Sequence, residues 1–381
     1  MKAKLLNEFT YKDGAKIYAV AVIADLAWQF LLGIIVAVTQ NTSLLEVDWL
    51  SMLLSLAIQL IFLGVIVGYC VVKRVRPTYG IKATHPVNYA LAALVSVVSL
   101  VGFYLTALAF DMLLDAAGYS AADPFVFETT AAKVIGVIAT CIAAPICEEL
   151  IFRGALLSGL KKNFKEPVAV VLSGLAFALM HMNPEQTVYQ FLLGCALALM
   201  VVKTGSLLMG MIGHCVSNLI AMLMELIPPF GSGVESALTS LVSIPWLAAV
   251  LGVVLFAAAA VALFYIGKLS GRLQERFEKK RAAKKGGASA KENQNVPAAE
   301  TAVGDAEAGK IEAGKAWAGA AETGGAEQGA KGQTPVFADR EKESLLKSMS
   351  SGKLFLIVGM GICAAMWVVM LIVGVIPMPE L

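Results

Sequence analysis

Charged side chains are scarce in this sequence: Asp, Glu, Lys and Arg make up 15% of the 381 residues, against 58% hydrophobic. A soluble domain carries roughly a quarter of its residues as charges, so that class is excluded. The net charge of +2 offers no global attraction for nucleic acid. No cysteine lies in a loop or in a CxxC pair. Cys70, Cys141, Cys147, Cys195, Cys215 and Cys363 all fall inside apolar runs, which argues against a disulfide framework or a thiolate zinc site and leaves them as small packing residues. There is no HExxH and no GxSxG, so neither a one-helix zinc motif nor a nucleophile elbow is written here, and Ser217 reads as an ordinary helix serine. Histidine is nearly absent, with three in the chain.

Apolar runs are what the chain has in quantity. The mean hydropathy is +0.75, and stretches long enough to cross ~30 Å of hydrocarbon at ~1.5 Å per residue recur along it. Nine candidate spans lie near residues 17–38, 49–72, 87–110, 131–158, 167–183, 186–203, 206–227, 239–266 and 354–376. An isolated strand cannot satisfy its backbone in lipid, so the expected fold is all-α, a polytopic transmembrane helical bundle. The first run follows Lys2, Lys4, Lys12 and Lys16, is long for a signal-peptide core and lacks a small-residue cleavage site, so it reads as a retained helix. Basic loops (Lys73 to Arg76, Lys161 to Lys165, Lys203, and Lys268 to Lys285) alternate with loops that carry acids and no base. That alternation fits nine spans in a cell membrane with a cytoplasmic N-terminus.

Five segments follow: N-terminal spans over 1–130, a core over 131–227, an eighth span and basic tail over 228–281, a linker over 282–353, and a last span over 354–381. The linker is rich in Ala, Gly, Lys and Glu and nearly without aromatics. Such a stretch cannot bury enough apolar surface to order itself and is expected to be a disordered cytoplasmic tether. The basic tail fixes topology and meets anionic lipid. His85, before Pro86, reads as a turn residue.

Ionisable residues inside a span are costly and point to function by default. The fourth span carries Cys147-Glu148-Glu149-Leu150-Ile151-Phe152-Arg153. Glu149 and Arg153 are i and i+4 and can pair, whereas Glu148 points ~100° away and stays free. Pro145, just before them, is expected to kink the helix. The fifth span ends on Phe177-Ala-Leu-Met-His181, and the seventh carries His214-Cys-Val-Ser-Asn218. Measured from the same basic side, Glu148 lies ~18 Å deep, His181 ~21 Å and His214 ~12 Å, so the groups can meet in one polar cavity. Asp25 and Gln29, i and i+4 in the first span, either line a cavity or pair with another helix.

A carboxylate and an imidazole around one water can make it a nucleophile, and a second histidine with an amide can bind an oxyanion. Glu148, His181 and His214 also resemble a hydrolytic zinc shell, so zinc or another divalent metal stays open as a cofactor.

Glu-Glu-x-x-x-Arg, Phe-x-x-x-His and His-x-x-x-Asn, in that order on membrane helices over about residues 131–227, resemble the CPBP family. These are the CAAX proteases and bacteriocin-processing enzymes, also called Abi, and they include the Ras-converting CAAX prenyl endopeptidase. The resemblance implies an intramembrane endopeptidase in which Glu148 and His181 activate water, His214 and Asn218 stabilise the oxyanion, Glu149 and Arg153 hold the site's shape, and Phe177 walls the cavity. The implied partners are the lipid bilayer and protein or peptide substrates, prenylated or bacteriocin-like among them, with no nucleic acid. The rival readings are a non-catalytic immunity or scaffold protein and a proton-coupled transporter.

Overall fold

A computed structural model describes residues 6–40, 47–119, 127–242, single positions between 250 and 265, 267–283 and 336–375. It is an all-helical membrane bundle. In chain order the helices are α1 (Tyr11–Thr39), α2 (Asp48–Lys73), α3 (Pro86–Ala116), α4 (Thr130–Asn163), α5 (Glu166–Met180), α6 (Thr187–Thr204), α7 (Leu207–Leu226), α8 (Pro228–Val242), α9 (267–283) and α10 (Val336–Val375). Among the described residues, six helical stretches are long and apolar enough to cross a membrane: α1, α2, α4, α6, α7 and, within α10, Ser350–Ile372. The third and fifth predicted spans correspond to α3 and α5, of which Pro86–Val97 and Glu166–Met180 form shorter apolar stretches. Most of the eighth predicted span, and residues 284–335 of the predicted linker, lie outside the described residues. The linker's last part, from Val336, is helical and belongs to α10. Ala338, Glu341, Lys342, Glu343, Leu345, Leu346 and Lys347 are good helix formers, which a reading by average composition passes over.

Helix α4 is the centre of the bundle; it packs against α1, α2, α5, α6 and α7. Its crossing with α1 is close because Gly14 removes a side chain there. A Cβ on Gly14 would stand on the Ala155 carbonyl oxygen of α4. Small residues at such a crossing are how helices associate in lipid, where burial of apolar surface supplies little force. Helix α1 opens on a capping box, in which Thr10 Oγ1 accepts from Asp13 N and Asp13 accepts from the Thr10 amide.

The basic loops gather at one end. A two-residue parallel ladder, β1 (Asn7–Glu8) with β2 (Val75–Arg76), joins the N-terminal segment to the α2–α3 loop. Lys162, after α4, donates to Glu8 at 2.7 Å, and that bond holds the Glu8 carboxyl below its ordinary range. Lys203 and Lys161 both pair with Glu166, and Leu207 N donates to Gly80 O at 3.0 Å. Three basic loops and the N-terminal segment therefore meet on one side. On the opposite side Asp48, at the start of α2, accepts from the amides of Glu128 and Thr129 at 3.0 and 2.6 Å and anchors the start of α4. His85 caps α3, its Nδ1 accepting from Val87 N.

The Gly14 crossing gives a direct test. Gly14→Leu should destabilise the detergent-solubilised protein by ~1–3 kcal/mol through overpacking against a backbone that cannot yield. Thermal unfolding should show a lower midpoint, and an unchanged one would mean that α1 does not seat against α4 at this point.

Candidate active site

Helix α4 is not a uniform α-helix. It widens to π-helical register at Val137–Ala143 and again at Leu150–Leu157, on either side of the short α-helical turn Ala144–Glu149 that carries both glutamates. Such bulges leave carbonyls without their usual donor and occur often at functional sites. The first has a sequence cause. In the π register the Ala144 amide donates to Ala139 O. The next donor in that register, aimed at Thr140 O, would come from Pro145, which has no N–H. Asn218 of α7 fills the gap, its Nδ2 donating to Thr140 O at 2.8 Å. In the second bulge, the Phe152 carbonyl accepts from Ser173 Oγ of α5 and the Arg153 carbonyl from Ser158 Oγ, each at 3.3 Å. Pro145 thus acts through a widened register and a cross-helix bond.

Glu149 and Arg153 are both fully buried and pair at 2.5 Å. Arg153 Nη2 also donates to Gly194 O of α6 at 3.0 Å, and its guanidinium stacks 4.5 Å from the centroid of Phe177. Gly210 of α7 leaves room for the pair, since a Cβ there would press on Glu149 Oε2 and Val201 Cγ2. Phe177 is itself fully buried. It meets Phe152, His181 and His214 edge-to-face at centroid distances of 5.0, 4.9 and 5.5 Å. It is the hub on which both histidines and the arginine rest.

His214 is buried between the two carboxylates. Its Nδ1 lies 3.2 Å from Glu149 Oε1, and a carboxylate only accepts, so Nδ1 carries a proton. Its Nε2 lies 3.9 Å from Glu148 Oε2. His181 ends α5, and Met182 directly after it adopts a left-handed φ of 50°, a conformation a non-glycine residue holds only where its surroundings enforce it. His181 Nδ1 lies 2.9 Å from Phe177 O. The carbonyl can only accept, so Nδ1–H donates and Nε2 is left as the basic nitrogen.

Glu148 and His181 line a common cavity of about 400 Å³, together with Phe152 and, from α1 and α2, Asp25, Gln29 and Gln59. Glu148 retains 13% side-chain exposure and accepts from Gln59 Nε2 at 3.2 Å. The structure therefore joins Glu148, Glu149, Arg153, Phe177, His181 and His214 in one cluster. Asn218 sits on the same helix face as His214, one turn on, with one amide N–H committed to Thr140. Gln59 was not anticipated; a lone glutamine in the apolar run of α2 was the signal. Among the described residues no three His, Cys, Asp or Glu side chains converge as a metal site. A metalloprotease reading finds no support.

Two stability tests follow. Arg153→Met should cost ~3–5 kcal/mol by stranding the Glu149 charge, and adding Glu149→Leu should recover part of it; a purely additive double variant would show that the two are not a pair. Asn218→Ala should cost ~1–3 kcal/mol by orphaning Thr140 O. In a Pro145→Ala background, where residue 145 regains an amide, that cost should fall by at least half; equal costs in both backgrounds would refute the carbonyl account. Thermal unfolding in micelles reads both.

No curated protein and no solved structure matches the chain. Residues 130–220 match the family described as type II CAAX prenyl endopeptidase Rce1-like. That segment begins with α4 and ends within α7, so it encloses both glutamates, both site histidines, Arg153, Phe177 and Asn218. Over residues 130–220 this membrane bundle is similar to the Rce1-like type II CAAX prenyl endopeptidases.

Proposed function

We propose that the protein is an intramembrane endopeptidase that hydrolyses peptide bonds of membrane-associated proteins or peptides with a water activated by Glu148 and His181. The observation that carries this reading is the shared cavity. A half-sheltered carboxylate and a histidine with one nitrogen pinned as donor face the same space, in a segment matching a prenyl endopeptidase family. Glu148 takes a proton from the water as its oxygen bonds to the substrate carbonyl carbon, and the carbonyl electrons move to its oxygen. When the tetrahedral intermediate collapses, the C–N bond breaks and the proton on Glu148 passes to the leaving amine. His181 Nε2 accepts a hydrogen bond from the water's second O–H, which stays on the oxygen, and so orients the lone pair toward the carbonyl. The oxyanion is assigned to His214 and Asn218. With Nδ1–H directed at Glu149, His214 Nε2 donates only in the imidazolium form, and Asn218 retains one amide N–H beyond its bond to Thr140. No step requires a metal.

Substrates fitting this reading include prenylated C-termini and bacteriocin-like peptides, reached from within the bilayer. The gathering of basic loops at one end supports a cytoplasmic placement of that end. A scaffold role would not require the pinned tautomer of His181 or the sheltered carboxylate of Glu148.

Purified protein in lipid nanodiscs, challenged with a library of membrane peptides, should cleave a subset. Glu148→Gln and His181→Ala should each lower kcat by ~10²–10⁴, and cleavage should persist in the presence of a chelator. Loss of cleavage on chelation with recovery on adding zinc would overturn the metal-free mechanism. A cellular phenotype that survives both substitutions would favour the scaffold.

A further inference from the structure

Part of the cavity wall around Glu148 is built by α1 and α2, which lie outside the segment matched to the family. It carries a carboxylate, Asp25, and the amide oxygens of Gln29 and Gln59. Asp25 Oδ2 accepts from Gln29 Nε2 at 3.1 Å. Ser55 spends its hydroxyl hydrogen on the Ser51 carbonyl and turns a lone pair outward. Gln59 is only 9% exposed. Its Nε2 is fixed by Glu148, and the reverse amide orientation would set two acceptors against each other. Its Oε1 is therefore a buried acceptor, and it has no partner. Among the described residues the lining holds two carboxylates, Asp25 and Glu148, one imidazole, His181, and no Lys or Arg. A carboxylate within an apolar helix calls for a compensating donor, and the Gln29 amide is the neutral donor that Asp25 meets.

We propose that this wall is a substrate subsite that takes a cationic group, a Lys or Arg side chain close to the scissile bond, paired with Asp25 and hydrogen-bonded to the Gln59 carbonyl oxygen. The proposal rests on the endopeptidase reading for its site and adds the class of substrate. A cation matches the two carboxylates of the lining in sign, while an acidic residue placed there would face two like charges. Gln59 serves in addition as a positioning residue, holding Glu148 by its amide while its carbonyl oxygen meets the substrate. A helix outside the catalytic segment is thereby coupled to the general base.

The experiment uses full-length protein in nanodiscs and peptides that differ only in Lys, Met or Glu next to the scissile bond. Wild type should favour Lys over Met by about tenfold in kcat/KM and disfavour Glu. Asp25→Asn, which keeps the side-chain shape, should collapse the Lys-to-Met ratio toward one, and Asp25→Lys should move the preference to Glu. Cleavage with the same ratios in wild type and Asp25→Asn would overturn the subsite and leave the endopeptidase standing. Binding of the fluorescently labelled peptides to Glu148→Gln protein separates the two ideas. A Lys preference in binding that Asp25→Asn abolishes, with no cleavage by wild type, would support the subsite and overturn the endopeptidase. No charge preference in binding would overturn the subsite.

Discussion

The buried ion pair of Glu149 and Arg153 is the constraint around which the site is arranged. Two unit charges without exposure must be satisfied from within the protein, because lipid offers nothing. Each neighbour of the pair meets part of that demand. Gly194 gives a backbone carbonyl from α6, Phe177 gives a ring face from α5, and His214 gives an N–H from α7. One i,i+4 pair on α4 thereby recruits three other helices, and the geometry of those recruits fixes both histidines through the Phe177 ring.

Neutralising Glu149 also defines Glu148. Adjacent carboxylates on one helix would repel in the membrane if both were free. With the inner one tied to arginine, the outer one turns to the cavity and keeps a little exposure. A single extra residue of helix, with its ~100° rotation, separates a structural carboxylate from a reactive one. The two π segments bracket that turn and let α4 present the glutamates while its freed carbonyls bind side chains of neighbouring helices.

Much of this was legible in the sequence. The apolar runs revealed the helices, since backbone satisfaction in lipid leaves no other spanning form among single chains of this pattern. Glu149 and Arg153 announced their pairing by spacing, and Phe177 with His181 announced a shared face. Other features depend on which helices meet, and spacing along one helix carries no record of that. Gln59 joins Glu148 from α2, and Asp25 turns toward the same space from α1, both far away in sequence. The π register of α4 also escaped notice: Pro145 was visible, but its effect on Thr140 becomes clear only with Asn218 on the other side. The helical start of α10 was hidden by its neighbours' low-complexity composition.

The bond between Asn218 and the Thr140 carbonyl bears on how such proteins diverge. Pro145 withholds an amide and Asn218 replaces it, so the identity of one position sets what is demanded of another on a different helix. A lineage that exchanged the proline would release the asparagine from its structural duty, whereas one that lost the asparagine first would carry a stranded carbonyl at the core of its central helix. The Thr140 carbonyl therefore couples positions 145 and 218 across two helices.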